Sequence, residues 1–280
     1  MVDEALAQAG ATRAQVGRAV FSMAGADWPE DIALLEGAFG SGGFGGPVGV
    51  VNDAIGALAG AVPAGPAVVV SIGTGAATGA RGHDGRTWHS SFWQSPQGAA
   101  ELADGMLATV VRSELGIGPP TVLRDRLLEI TGDATVEAAL HRFTARGRRP
   151  RPVGPLVRAL LDAADAGDDV ASSVVRFHGT GLGTVAAAAA RRVAIERAPF
   201  ALSFCGGLAR GGATALTVAA IEAVHAAGQA PVIVAPRWEP AIGALVIGLA
   251  AGLPGSMPAE VTERLDATAP PASFYDVIAG

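Results

Sequence analysis

The sequence predicts an α/β protein built on a parallel sheet with helical cover. Three observations predict it. Short apolar runs alternate with stretches of helical period, several of these runs end in glycine turns, and half of the 280 residues are hydrophobic against 16% charged. That balance belongs to a packed globular chain rather than a disordered one.

Residues 2–9 have the pattern of a short helix, and Arg18–Ala24 (RAVFSMA) that of a buried strand. A helix is then expected to start with Asp27 as its N-cap, Pro29 in the first turn and Glu30 three residues after the cap, and to end near Phe39. Val48–Val51 is an apolar strand, followed by a helix from about Ala54 to Ala61. Ala67–Ile72 (AVVVSI) is the strongest strand pattern and ends in Gly73-Thr74-Gly75, with a hairpin expected through His83-Asp84-Gly85 towards Trp88. From Gly98 to Leu115 the apolar positions follow the helical period, and 121–131, 135–145, 153–166 and 168–195 are further helices. Phe200–Cys205 is a second strand ending in glycine. A helix from Thr214 to Ala227, a strand Pro231–Ala235 and a small-residue helix Ala241–Ala251 complete the pattern.

Composition excludes several chemistries. All 20 basic residues are arginine, so a Walker A lysine, a Schiff-base lysine and a lysine base are absent. A single cysteine, Cys205, forbids an intrachain disulfide and a CxxC pair, and its place at the end of an apolar strand marks a buried thiol. The histidines (83, 89, 141, 178, 225) are scattered without metal-ligand spacing, so no side-chain metal site is expected. A net charge of −6 argues against a nucleic-acid surface, and the arginines at 142, 146, 148, 149 and 151 have the pattern of a solvated connector. The uncharged run 54–80 holds six glycines and two prolines, so it is no continuous membrane helix, and the acidic N-terminus lacks the pattern of a signal peptide. A cytoplasmic protein is expected.

Among the glycine clusters, Gly40–Gly45 matches GxGxxG but follows a helix and precedes a strand, the reverse of a dinucleotide site. Gly179–Gly183 lies in alanine-rich helix and is expected to serve close helix packing. Gly73-Thr74-Gly75 and Gly206-Gly207 each follow a strand, where open α/β sheets bind ligands. Each can be a backbone cradle for an anion or an ordinary turn. Asp53, after Asn52 at a strand-to-helix junction, is either a helix cap or a general base at the strand end.

Five segments in order, MAGAD-WPED (23–31), VVNDAIGAL (50–58), VVVSIGTGAATG (68–79), FCGGLARGG (204–212) and EPAIGAL (239–245), resemble the BadF/BadG/BcrA/BcrD ATPase family, which includes N-acetylglucosamine kinases. The resemblance implies a ribonuclease-H-like, actin-like ATPase fold in two lobes. It places the first lobe at residues 1–62, the second at 63–280, and a helical insertion at about 98–195. It implies Asp53 as catalytic base, Gly73, Thr74 and Gly75 as a phosphate loop, Gly206 and Gly207 as an adenosine motif, and Asn52, Gln94 and Gln97 as contacts to the acceptor. Gln94 and Gln97 stand where family sugar kinases carry an acidic pair. The implied reaction is ATP-dependent phosphorylation of a sugar or amino sugar, with Mg2+ carried in by the nucleotide. A non-catalytic binding protein or a partner-activating ATPase of the same fold is the alternative, and homodimerisation is left open. The family's Asp-Gly-Gly-Gly-Thr hairpin has no counterpart in the sequence. The first lobe is therefore expected to be incomplete, with three strands standing before Met1, and labile, while the second folds on its own.

Overall fold

The structure, a computed structural model, describes residues 2–95, 97–147, 150–210, 214–251 and 257–270. Arg148 and Arg149 of the basic connector, Pro96 of the acceptor segment, Gly211 and Gly212 of the FCGGLARGG motif, and the proline break at 254 lie outside them.

After helix α1 (Val2–Gln8), strand β1 (Ala19–Met23), helix α2 (Pro29–Gly40) and strand β2 (Val48–Asn52) form a two-stranded parallel sheet with a crossover helix. Helix α3 (Asp53–Ala61) leads into β3 (Ala67–Ile72), which forms a hairpin with β4 (Ala76–Arg81), and β5 (Thr87–His89) adds to β4. Five helices follow: α4 (Ala99–Glu114), α5 (Leu123–Thr131), α6 (Val136–Thr144), α7 (Val153–Asp165) and α8 (Asp169–Arg192). Then come β6 (Ala201–Cys205), α9 (Ala215–Ala226), β7 (Val232–Ile233), α10 (Pro240–Ala250) and α11 (Ala259–Thr268). The larger sheet has the order β5-β4-β3-β6-β7, with β3, β6 and β7 parallel and the hairpin antiparallel. The sheet is thus mixed, as the expected hairpin at 83–85 requires.

Strand β3 explains the layering. Val68, Val70 and Ile72 point into the large core shared with the helices after β5, whereas Ala67 and Val69 point at Ala57, Leu58 and Ala61 of α3. A strand buried on both faces is apolar at nearly every position, as AVVVSI is apart from Ser71. Helix α8 packs close to α9 because Gly179 and Gly183 have no side chains: a Cβ at either would collide with the Leu216 or Ala220 carbonyl. The Gly40–Gly46 stretch is the connection from α2 to β2, as expected.

One boundary expectation fails. Asp27 does not cap α2; the helix begins after Trp28, whose N–H donates to Asp31 at 3.0 Å, while the Asp27 carboxylate accepts from the Asn52 amide at 2.9 Å. A local cap at Trp28 leaves Asp27 free for a partner 25 residues away. Helix α11 is absent from the expected elements, since Leu265 alone among its described residues is buried and the apolar stripe is weak. In the basic connector Arg142 pairs with Asp133 at 2.6 Å and Arg151 pairs with Asp104.

Helix α3 joins the two sheets. It packs on β3 and β4 on one side and on α10 on the other, and α10 also packs on β1. A Cβ at Gly243 of α10 would collide with the Gly56 carbonyl, and one at Gly60 would lie 2.9 Å from the Glu239 carbonyl. Gly243→Ala should therefore destabilise the protein by roughly 1–3 kcal/mol, the range for an overpacked core. Gly37→Ala, whose Cβ meets nothing within 4 Å, should leave the melting temperature unchanged or slightly raised. Thermal unfolding of the two variants side by side checks this.

Candidate functional site

The parallel pairing of β3 with β6 brings two glycine turns side by side at the carboxyl edge of the sheet. Gly206 has φ +88°, and a Cβ there would lie 2.6 Å from the Ile72 carbonyl, so this position needs glycine. The same carbonyl accepts the Leu208 N–H at 3.1 Å, tying the β6 turn to the start of Gly73–Gly75. That second turn is the corner of the β3–β4 hairpin and is held by the N-terminus of α4: Ala99 N–H donates to the Gly73 carbonyl at 2.9 Å and Ala100 N–H to the Thr74 carbonyl at 3.1 Å. Gly98 presses on the Gly75 backbone. Thr74, Gly75 and Gly207 are exposed, and a Cβ at Gly75 or Gly207 would meet nothing within 4 Å. The turns are therefore pinned at one side and open at the other.

Asn52 ends β2 and Asp53 begins α3, at the carboxyl end of the two-stranded sheet. Asn52 is buried, and its carboxamide oxygen accepts the Ala54 N–H at 2.9 Å, so Asn52, not Asp53, caps α3. Its amide nitrogen donates to Asp27. An amide nitrogen has two hydrogens and an amide oxygen two lone pairs, so each end has capacity for one more partner. Asp53 is half-buried at the first helical position. Burial pushes its carboxyl above the usual aspartate range; the N–H of Ala54 opposes this, and the Asp27 charge adds to it.

His89 is the residue that sequence spacing does not single out. The Ala54 carbonyl lies against Gly79 so closely that a Cβ there would collide with it, and Gly79 is the ladder partner of His89. The start of α3 and the end of β5 therefore share one neighbourhood. Burial holds the His89 imidazole below its ordinary range, against the pull of Asp27 and Asp53. Its Nδ1 shares a 2.5 Å hydrogen bond with Ser91 Oγ, and Asp27, Trp28, His89, Ser91 and Trp93 line a cavity of about 200 Å³. The signal that could have found the cluster is Asp27, which lies inside the MAGAD-WPED segment.

The two glutamines take different positions. Gln94 is buried, its Oε1 accepting from Thr78 Oγ1 at 3.0 Å, and its Nε2 has no partner among the described residues. Gln97 lies against Gly181 of α8 with its Oε1 buried and unpartnered. Cys205 ends β6 facing α3, and burial pushes its thiol up to about 11, as befits a structural residue. Gly206, Arg210, Trp238 and Glu239 surround a cavity of about 190 Å³ in which Arg210 pairs with Glu239 at 3.1 Å. No helix among the described residues is long and apolar enough to cross a membrane.

No known family model matches the chain. Over 180 residues it is 25% identical to an N-acetylmuramic acid/N-acetylglucosamine kinase of Clostridium acetobutylicum, a stretch covering 63% of this chain and 59% of that protein. The match thus spans less than two thirds of the relative. A candidate N-acetylglucosamine kinase of Chromobacterium violaceum shares the fold with a TM-score of 0.64 at 23% identity, over 88% of this chain and 81% of that one. A candidate N-acetylglucosamine kinase of Porphyromonas gingivalis does so with a TM-score of 0.59 at 15% identity, over the same shares. The chain has the actin-like ATPase fold of the sugar kinases.

Proposed function

We propose that the protein is an ATP-dependent kinase of the BadF/BadG/BcrA/BcrD branch of this fold, transferring the γ-phosphoryl group to a hydroxyl of a sugar or amino sugar. The reading is carried by two glycine turns with open space above them, side by side where β3 and β6 end, together with a half-buried carboxylate of raised pKa just after β2. Phosphoryl transfer asks a protein chiefly for positioning and for donors aimed at developing charge, and needs no lysine if backbone amides supply them.

Asp53 accepts the proton of the attacking hydroxyl as its oxygen bonds to the γ-phosphorus and the bond to the bridging oxygen breaks, leaving a nucleoside diphosphate. Thr74 and Gly75 hold the phosphates through exposed backbone N–H groups and the Thr74 hydroxyl, while Gly73, whose own N–H donates to the Gly75 carbonyl at 2.8 Å, shapes the loop. Gly206 and Gly207 take the adenosine. The absence of side chains above Gly75 and Gly207 fits a nucleotide lying across both turns. Mg2+ bound with the phosphates of the nucleotide would supply further charge neutralisation. Asn52, Gln94 and Gln97 orient the acceptor, the Gln94 Nε2 and Gln97 Oε1 having no partner among the described residues.

Asp53→Asn should lower turnover roughly two to four orders of magnitude, as expected for loss of a general base. The sign of its effect on stability separates this from misfolding. A carboxyl with a raised folded pKa binds more protons folded than unfolded between its ordinary and raised values, so its contribution to stability falls as pH rises through that window. The asparagine variant should thus be at least as stable as the parent at about pH 7 and lose that advantage near about pH 3. An active variant, or one that melts lower at neutral pH, returns Asp53 to a structural role. For the parent, the acid limb of kcat/KM should lie above about 3.9, the ordinary aspartate value.

Gly75→Val and Gly207→Val place side chains in open space, so the fold should persist while ATP affinity falls about tenfold or more in each. Calorimetric titration with ATP reads this directly, and unchanged affinity in both variants would remove the nucleotide assignment.

A further inference from the structure

We propose that the large cavity beside the acceptor segment is a second saccharide subsite, so that the preferred acceptor carries a further sugar unit beyond the ring that is phosphorylated. The inference rests on the sugar-kinase reading and names its substrate class. The cavity, about 860 Å³, lies between Trp93, Ser95 and Gln97 on one side and the exposed flank of α8 on the other. The cavity bearing Asp27 and His89 is about 200 Å³, room for little more than one ring, whereas pockets of several hundred cubic ångströms take much larger ligands. Trp93 lines both, so one ligand can extend past it from the smaller cavity into the larger.

The lining chemistry matches a pyranose. Trp93 is 65% exposed and Phe177 72% exposed, two aromatic rings that remain largely open to solvent. Arg192 stacks on the Trp93 ring at 5.4 Å, and Phe177 meets His178 edge-on at 5.4 Å, so each ring has a neighbour that orients it. Thr180 and Thr184 stand one turn apart on the same flank of α8, and the Thr184 hydroxyl donates to the Thr180 carbonyl at 2.8 Å, leaving its oxygen to accept from a ligand. Gln97 borders the same space, and its carboxamide oxygen has no partner among the described residues. The two charges in the lining, Arg176 and Asp169, are opposite in sign, which favours a neutral polyol over a polyanion. The nucleotide's proposed turn at Gly206 opens on a different cavity.

The test is calorimetric titration of the full chain, without nucleotide, with N-acetylglucosamine against N,N′-diacetylchitobiose and glucose against cellobiose. In at least one pair the disaccharide should bind about tenfold or more tightly than its monosaccharide. Phe177→Ala should erase that gain and leave monosaccharide affinity unchanged; the ring is exposed, so the fold should tolerate its loss. Equal affinities within both pairs, or a gain that survives Phe177→Ala, overturn the subsite. So does light scattering that shows a dimer lost in Phe177→Ala, which gives the cavity to a second copy of the chain. Because binding is read without turnover, the two readings fail separately. Phosphorylation of monosaccharides with no disaccharide gain overturns the subsite alone, whereas a disaccharide gain without sugar phosphorylation overturns the kinase reading.

Discussion

Helix α3 has almost no side-chain volume over most of its length, and the site depends on how closely that lets it sit. Its sequence after Asp53, AIGALAGA, allows its start to lie against Gly79 of β4 and its far side to lie against Gly243 of α10. Seven of its nine residues are buried, so nothing about its placement is left to solvent. Asn52 fixes where the helix begins, and Asp27 fixes Asn52. Asp53 is thereby held just after the end of β2 by the packing and capping of the helix that it begins.

The chain has no lysine to offer an anion at the turns that follow β3 and β6. The two glycine turns present backbone N–H groups, which carry no desolvation cost comparable to that of a buried ammonium. The acidic groups are kept apart in function: Asp27 is engaged by an amide, while burial favours the protonated form of Asp53. A group with a pKa nearer neutrality transfers protons more effectively than a free carboxylate, so the same burial that makes α3 fit also serves the proposed chemistry. His89, beside both carboxylates, joins this neighbourhood only because β5 extends the hairpin to the residue opposite Gly79.

Much of this was legible in the sequence, for identifiable reasons. Strand β3 is buried on both faces and so announces itself as AVVVSI; α8 and α9 touch through glycines spaced one turn apart, a pattern visible without coordinates. Topology alone singled out Gly73–Gly75 and Gly206–Gly207 as turns after strands, each either a candidate ligand cradle or an ordinary turn. Three features were hidden. Asp27 has the local signature of a helix cap, and only a contact 25 residues distant gives it another role. His89 has no neighbour in sequence that hints at Asp53, because their proximity is a product of ladder register and helix packing. Gln94 and Gln97 differ in burial and partners although three residues apart, since the chain between them turns from β5 into α4.

The central claim is that this site moves a phosphoryl group onto a sugar hydroxyl, and following the phosphorus tests it most directly. Phosphorus-31 spectra of the full chain with Mg-ATP and a panel of amino sugars, hexoses and their disaccharides should show a sugar phosphate monoester appearing one for one with ADP. Inorganic phosphate appearing at the same rate with every sugar and with none, or ATP that remains intact throughout, would contradict it.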